Sequence, residues 1–208
     1  MIKEIEGIMD KGEFSLILEE KATNMSTTFT LAIINIDNFE TVNNYYGEAV
    51  GDRVIKKTAS VLKQNLRNDD VVGRYNKDEF YILFDNTNAE TAFIMIEEIR
   101  KYFDENTFQL GEKDSKIPLK ISAGIANFPR NAKNVIELFR SADSALFRAK
   151  REGKNKVCLA ESESMLLKSN YYTKTQLERL SVLSQKTDKT EAFLLREALD
   201  DLFEKYSK

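Results

Sequence analysis

The sequence predicts an α/β protein, a mixed central sheet flanked by helices, followed by a small helical tail with its own logic. Three observations carry this. FTLAIINI (29–36) is a continuous apolar run, the signature of a strand buried on both faces, and LKISAGIA (119–126) supplies a further strand. Around them lie stretches with apolar residues three and four apart, the spacing of a helix with one buried stripe. After residue 160 the composition turns polar at ESESM, and a new pattern begins.

In chain order, residues 1–28 carry Ile2, Ile5, Ile8 and Met9, then Phe14, Leu16, Ile17 and Leu18, at helical spacing. Gly7 and Gly12 predict a turn between two short helices. Strand 29–36 ends at Asp37, a polar group where a strand meets its loop, which is a common site position in α/β folds. Residues 38–66 predict a helix broken near Tyr46-Gly47 and resumed from Asp52, with Val54, Ile55, Ala59, Leu62 and Leu66 on one face. The stretch RNDDVVGRYNKDEFYILF (67–84) then reads as a hairpin turning at Asn76-Lys77, with Asp78 and Glu79 at its tip. Ala89 to Phe103 is an amphipathic helix, and 104–116 a polar loop. Strand 119–126 comes next, then a helix from Val135 to Arg151 that Gly153 caps. KVCLA (156–160) closes the unit as a strand. The order α, β, α, hairpin, α, β, α, β gives the mixed sheet. Residues 1–160 form one expected domain, 161–166 a linker and 167–208 a second domain.

Composition narrows the chemistry. With 208 residues the chain suits one good-sized domain and an appendage. It has no histidine, which removes His-based general bases, triads and zinc sites. Its single cysteine, Cys158, excludes an internal disulfide framework and fits a reducing compartment. No apolar run could span a bilayer and MIKEIEGIMD is no signal peptide, so a cytoplasmic protein without membrane contact is expected. The net charge of −3 argues against a broad electropositive surface, so any nucleic-acid contact is local. Paired carboxylates at a hairpin tip can hold a hard divalent cation, which in turn holds phosphate oxygens; they also suit a merely solvated turn.

The first 160 residues resemble the GGDEF domain of the diguanylate cyclase family, a nucleotide-cyclase-like fold. IINIDNFETVNNYYGEAVGD is similar to the family's D-x-D-x-F-K-x-x-N-D-x-x-G-H-x-x-G-D signature, and NKDEF stands at the motif that names it. ISAGIA matches its S-x-G strand, and ADSALFRAKREGKNKV its A-D-x-A-L-Y-x-A-K-x-x-G-R-N-x helix. EIEGIMDKGEF resembles a worn D-x-L-T-G-L-x-N-R opening. The departures imply a degenerate nucleotide pocket with no catalytic residues and no metal. The metal-ligand aspartate of D-x-D is Asn35, a much weaker Mg²⁺ ligand, so its pairing with Asp78 is broken. The two glycines are Asn76 and Lys77, whose side chains crowd the nucleotide's approach to the backbone. Asp78, Glu79 and the phosphate-binding Lys150 remain, while the following arginine is Lys154. Asn43 and Asp52 stand at the guanine-reading positions.

Arg67-Asn68-Asp69-Asp70 stands at the family's inhibitory R-x-x-D site for cyclic di-GMP, so that dinucleotide is the expected ligand and no cofactor is required. A guanidinium can donate a bidentate pair to the Hoogsteen edge of guanine, and a carboxylate can accept from N1 and N2. The bare pair would equally form a surface ion pair worth little. Arg100 is a candidate second guanine contact.

The tail has a short β-prone segment at Leu167–Tyr172, then Thr173-Lys-Thr-Gln176, a capping box opening a helix with Leu177, Leu180 and Leu183 on its face. A break at Thr187-Asp188-Lys189 precedes Thr190, a good N-cap, and a second helix burying Phe193, Leu194, Ala198, Leu199 and Leu202. So few residues cannot cover those faces alone, and a homodimer is expected. The LERLSVLSQKTDKTEAFLLREAL stretch resembles the ribbon-helix-helix family, which implies a DNA partner. There, strands of two subunits enter the major groove and the second helix's N-terminus meets a phosphate. Lys168, Asn170, Tyr171, Lys174, Lys189 and Thr190 are the candidate DNA contacts. From residue 169 onward seven basic and seven acidic residues balance, so non-specific affinity should be modest.

Together these readings predict a cyclic di-GMP-responsive transcription factor. The alternatives are a residual cyclase, a sensor of another guanine nucleotide such as GTP, and a tail that only dimerises.

Overall fold

The computed structural model describes residues 5–23, 27–110, 116–161, 171–187 and 190–206. Its contacts divide the chain into two compact units, residues 1–164 and 165–208.

In the first unit a five-stranded sheet has the order β2-β3-β1-β6-β7. Its central strand β1 (Phe29–Ile36) is buried at every residue, as is β6 (Ile121–Phe128), and the polar Thr30, Asn35, Ser122 and Asn127 are buried among their apolar neighbours. β1 pairs antiparallel with both β6 and β3 (Glu79–Asp85), and β3 with β2 (Val71–Arg74). β7 (Val157–Leu159) runs parallel to β6, making the sheet mixed. Register places Asn35 beside Glu79 on one side and Ser122 on the other.

Helices cover both faces, and the alternation of side chains along β1 divides the core. Ala32, Ile34 and Ile36 point to one layer, with Val54, Ile55, Leu62, Ile96 and Phe103 from α3 (Glu48–Gln64) and α4 (Ala89–Glu105). Phe29, Leu31 and Ile33 point to the other, with Phe14 and Leu18 of α1 (Lys11–Ala22) and Leu138 and Leu146 of α5 (Val135–Arg151). Gly124 in β6 is where α5 lies closest. A Cβ there would come within 2.1 Å of the Ala142 carbonyl oxygen, so only glycine permits this packing.

Several boundaries differ from the sequence reading. Residues 5–10 are a turn and a bridge rather than a helix: Gly7 takes φ +73°, and Met9 pairs with Gly73. The helix begins where Asp10 and Glu13 form a capping box, so Gly12 falls inside its first turn. α2 (Phe39–Tyr46) and α3 are separated by Gly47 alone, at φ +85°, and the helix resumes at Glu48 rather than Asp52. The 104–116 loop contains β4 (Thr107–Gln109), which pairs with β5 (Lys116–Pro118) and buries Phe108 and Ile117. Three-residue strands are too short for a period to register.

The second unit contains α6 (Lys174–Thr187) and α7 (Glu191–Tyr206). The Thr173 hydroxyl accepts from the Gln176 N–H at 3.2 Å, and the Gln176 side chain accepts from the Thr173 N–H at 2.9 Å, the expected capping box. The Leu194 N–H donates to the Thr190 carbonyl as α7 begins. Most of the 161–166 linker and of the β-prone segment lies outside the described residues.

Candidate functional site

Two clusters of sequence-selected residues form at separate corners of the first unit. The first is the hairpin tip. Asn35 leaves β1 beside the turn between β2 and β3, and its Nδ2 donates to Asp78 Oδ2 at 3.0 Å. The Ile36 N–H donates to the Asp78 carbonyl at 3.0 Å, which ties the turn to the strand end. Asp37 is buried, accepting from Ser122 Oγ and from the Asn155 N–H at 2.9 Å. It is a structural acid with its partners supplied.

Arg74 folds back over the turn. Its Nε and Nη2 donate to the carbonyls of Asn76 and Lys77 at 3.0 and 2.9 Å. Burial pulls its pKa down, and the nearby carboxylates of Asp52 and Asp78 oppose that. Asn76 and Lys77 are exposed, and neither takes a positive φ, so the turn forms without glycine's freedom. Glu79 is pushed above the usual carboxylate range by burial, against the Tyr81 hydroxyl's hydrogen bond and the Lys150 charge. Lys154 reaches across to Asn38 Oδ1 at 2.5 Å from a loop where Gly153, Lys154 and Asn155 all take positive φ. Asn43 lies over α3 because position 51 is glycine, where a Cβ would fall 1.8 Å from its Oδ1. Asp52, the residue after Gly51, is half-buried.

This donor set does not suit a hard cation. A Mg²⁺ site needs converging oxygens, whereas here an amide N–H fills the space beside Asp78. Among the described residues no three acidic or cysteine side chains converge on one point. Glu40, in the first turn of α2, stands where the quoted signature has lysine, a charge reversal legible in the motif itself.

The second corner is the loop between α3 and β2. Asp70 Oδ2 accepts from the Arg67 N–H and Nε at 3.1 and 3.0 Å, and Oδ1 from Arg67 Nη2 at 2.7 Å and the Asp85 N–H at 3.3 Å. The Asp70 side chain is 0% exposed, while that of Arg67 is 49% exposed. Hydrogen bonding to Asp70 raises the Arg67 pKa, so the guanidinium stays charged. Nη2 also reaches Thr87 Oγ1 at 2.5 Å and the Asp85 carbonyl at 3.2 Å. In this conformation the acceptor role expected of Asp70 toward guanine is filled by the protein's own donors. Nothing in the sequence marks Thr87 and Asp85, since a polar DNTN loop after a strand carries no signal of its own.

Arg100 does not join this corner. It lies about 16 Å along α4 from the helix start that follows Thr87. There it forks onto Glu97 at 2.9 and 2.8 Å and donates to Asn155 Oδ1 at 2.9 Å. It therefore braces the loop whose Asn155 N–H donates to Asp37. A helix end rich in charge gave no hint of that nonlocal partner.

In the second unit, Tyr171 is fully exposed and Lys174 and Thr190 are exposed; Lys168, Asn170 and Lys189 lie outside the described residues. Leu194 is buried as expected, but Leu199 and Leu202 are not: with Leu177, Leu183 and Leu195 they are each between 38% and 49% exposed, so among the described residues part of each helix's apolar face is uncovered in one chain.

Residues 7–156 match the family described as diguanylate cyclase, GGDEF domain, and residues 169–207 match the ribbon-helix-helix domain. Diguanylate cyclase A of Treponema denticola is 32% identical over 154 residues, which cover 72% of this chain and 41% of the relative. The chain thus spans less than half of that protein's length. Among solved structures, the GGDEF domain of DgcB from Caulobacter crescentus in complex with c-di-GMP superposes with a TM-score of 0.70 at 25% identity, covering 78% of this chain and 100% of that one. The active GGEEF domain of a diguanylate cyclase from Vibrio cholerae does so with a TM-score of 0.67 at 26% identity, over 74% and 98%.

Proposed function

This chain belongs to the GGDEF family of diguanylate cyclases and also carries a ribbon-helix-helix domain; from that premise we propose that it is a DNA-binding regulator that responds to cyclic di-GMP and no longer makes it. The observation that carries this reading is the Asn35–Asp78 hydrogen bond. A donor amide stands where the cyclase motif has a metal-ligand carboxylate, and phosphoryl transfer by in-line displacement depends on correctly held metal ions. The Arg67–Asp70 pair, by contrast, is whole. The related domain from Caulobacter was solved with c-di-GMP, which supports that ligand class.

The tail supports the output. Its uncovered leucines suit a second copy, and a ribbon-helix-helix dimer presents paired strands to the major groove. Lys168, Asn170, Tyr171 and Lys174 are proposed to contact DNA from the strand and its exit, and Lys189 and Thr190 a phosphate at the second helix. Ligand and DNA then change each other's affinity by the same factor.

Calorimetric titration of cyclic di-GMP into the full chain and an Arg67→Ala variant tests the sensor. Tight binding lost in the variant is expected, with no product from GTP and Mg²⁺. Binding that survives Arg67→Ala, or appreciable GTP turnover, overturns the assignment. One observation favours GTP as a second ligand: Gly51 still makes room for Asn43 beside Asp52. Competition between the two nucleotides separates the two sites.

A further inference from the structure

The Arg67 corner is closed, and the closure falls on a residue outside the R-x-x-D motif. A guanidinium grips a planar partner with two N–H groups side by side, and arginine has two such edges. Nε and Nη2 of Arg67 already face the two oxygens of Asp70. The remaining edge, Nη1 with the second hydrogen of Nη2, is the one a guanine must use to offer O6 and N7 together. Nη1 is bonded to no described residue, but Nη2 is held by Thr87 Oγ1 at 2.5 Å, with the Asp85 carbonyl behind it at 3.2 Å.

Thr87 cannot follow a departing arginine. It is 4% exposed, and its hydroxyl donates to the Asp85 carbonyl at 2.7 Å, which leaves its lone pairs facing Nη2. Its own carbonyl accepts from Thr30 Oγ1 at 2.6 Å and from Asn127 Nδ2 at 3.2 Å, both in the sheet. On one side Asn86 sits at φ +44°; on the other Asn88 caps α4 by accepting from the Thr91 N–H. The acceptor is fixed, so a ligand that takes the outer edge of Arg67 must displace the arginine from it.

We propose that Thr87 sets the ligand affinity of this corner by competing with guanine for the outer edge of Arg67. The proposal rests on the reading that Arg67 receives cyclic di-GMP. Removing the hydroxyl removes the competitor, so Thr87→Val in the full chain should bind cyclic di-GMP more tightly. The gain should be on the order of three- to tenfold, because the Asp85 carbonyl keeps part of the hold. Thr87→Ser keeps the hydroxyl and should return the wild-type affinity. Thr87→Ala provides a second variant without the hydroxyl if valine disturbs the fold.

Thermal melts of the same samples complete the test. A variant that melts lower yet binds tighter is the signature of a lost competitor, since loosening the corner by itself weakens binding. Wild-type binding that is abolished by Arg67→Ala, with Thr87→Val and Thr87→Ala equal to or weaker than wild type, overturns the competition and leaves the sensor reading standing. Failure of the wild type and both Thr87 variants to bind overturns the sensor reading and the competition with it.

Discussion

Asp78 and Asp70 lie close together in the sequence, and their surroundings differ in kind. Asp78 sits in a half-open turn with one amide donor from Asn35 at 3.0 Å, beside a loop whose carbonyls are held by Arg74. Asp70 is withdrawn from solvent and accepts from the Arg67 N–H, Nε and Nη2 and from the Asp85 N–H. The first acid faces a donor amide, not a second carboxylate. The second has every lone pair engaged. A motif records that a carboxylate is present, but its chemistry is decided by what fills its lone pairs.

The sharpest way to break this comparison is to remove each acid in turn. Asp70→Ala leaves the Arg67 and Asp85 backbone N–H groups and one edge of the half-exposed Arg67 guanidinium without their acceptor, and is expected to cost about 2–3 kcal/mol of stability. Asp78→Ala leaves one neutral donor, the buried Asn35 amide, without its acceptor, at about 1 kcal/mol. Urea denaturation of both variants checks the difference. Equal losses would mean that Asp70 is no more integral to the fold than Asp78.

Restoring the missing carboxylate sharpens the other half. Asn35→Asp places two acids at hydrogen-bond distance without a cation, and is expected to cost about 1–2 kcal/mol at neutral pH in chelator. Like-charge repulsion raises the folded pKa of the pair. The native state then holds protons that the unfolded state has released, so the loss grows as pH rises from the ordinary carboxylate range and vanishes in acid. Excess Mg²⁺ should recover the melting temperature of the variant and leave the wild type unmoved. A wild type that gains stability from Mg²⁺ would show that the pocket still holds metal.

What was legible in the sequence divides along similar lines. The continuous apolar run 29–36 gave β1, because a strand buried on both faces has few polar positions to spare. Local chemistry gave the break at Gly47 and the Thr173–Gln176 box, whose partners lie within a turn of each other. The Asp10–Glu13 box was equally local, but the apolar spacing across Gly7 and Gly12 masked it. Arg67 and Asp70 were found as a motif, yet their anchor Thr87 lies 20 residues away, and the Asn155 partner of Arg100 lies 55 away. Such partners are set by the order of strands in the sheet, which spacing along the chain does not encode.

The smallest effect expected is at Glu79, which register places beside Asn35 and which therefore belongs to the hairpin-tip corner. Burial raises its pKa above the usual carboxylate value, while the Tyr81 hydroxyl, 3.2 Å from Oε1, favours the charged form. With the folded pKa above the unfolded one, the native state binds more protons between them. Stability from this group is therefore present in acid and falls as pH rises through the folded pKa. Glu79→Gln keeps an acceptor for Tyr81 and removes the charge, so it should stabilise the protein at neutral pH by ~0.5 kcal/mol or less and flatten that part of the pH profile. Melting curves from acid to neutral pH read both effects. A variant less stable than the wild type at neutral pH would mean that ionised Glu79 is held by its surroundings, as Asp70 is by Arg67, and the contrast between the corners would not extend to it.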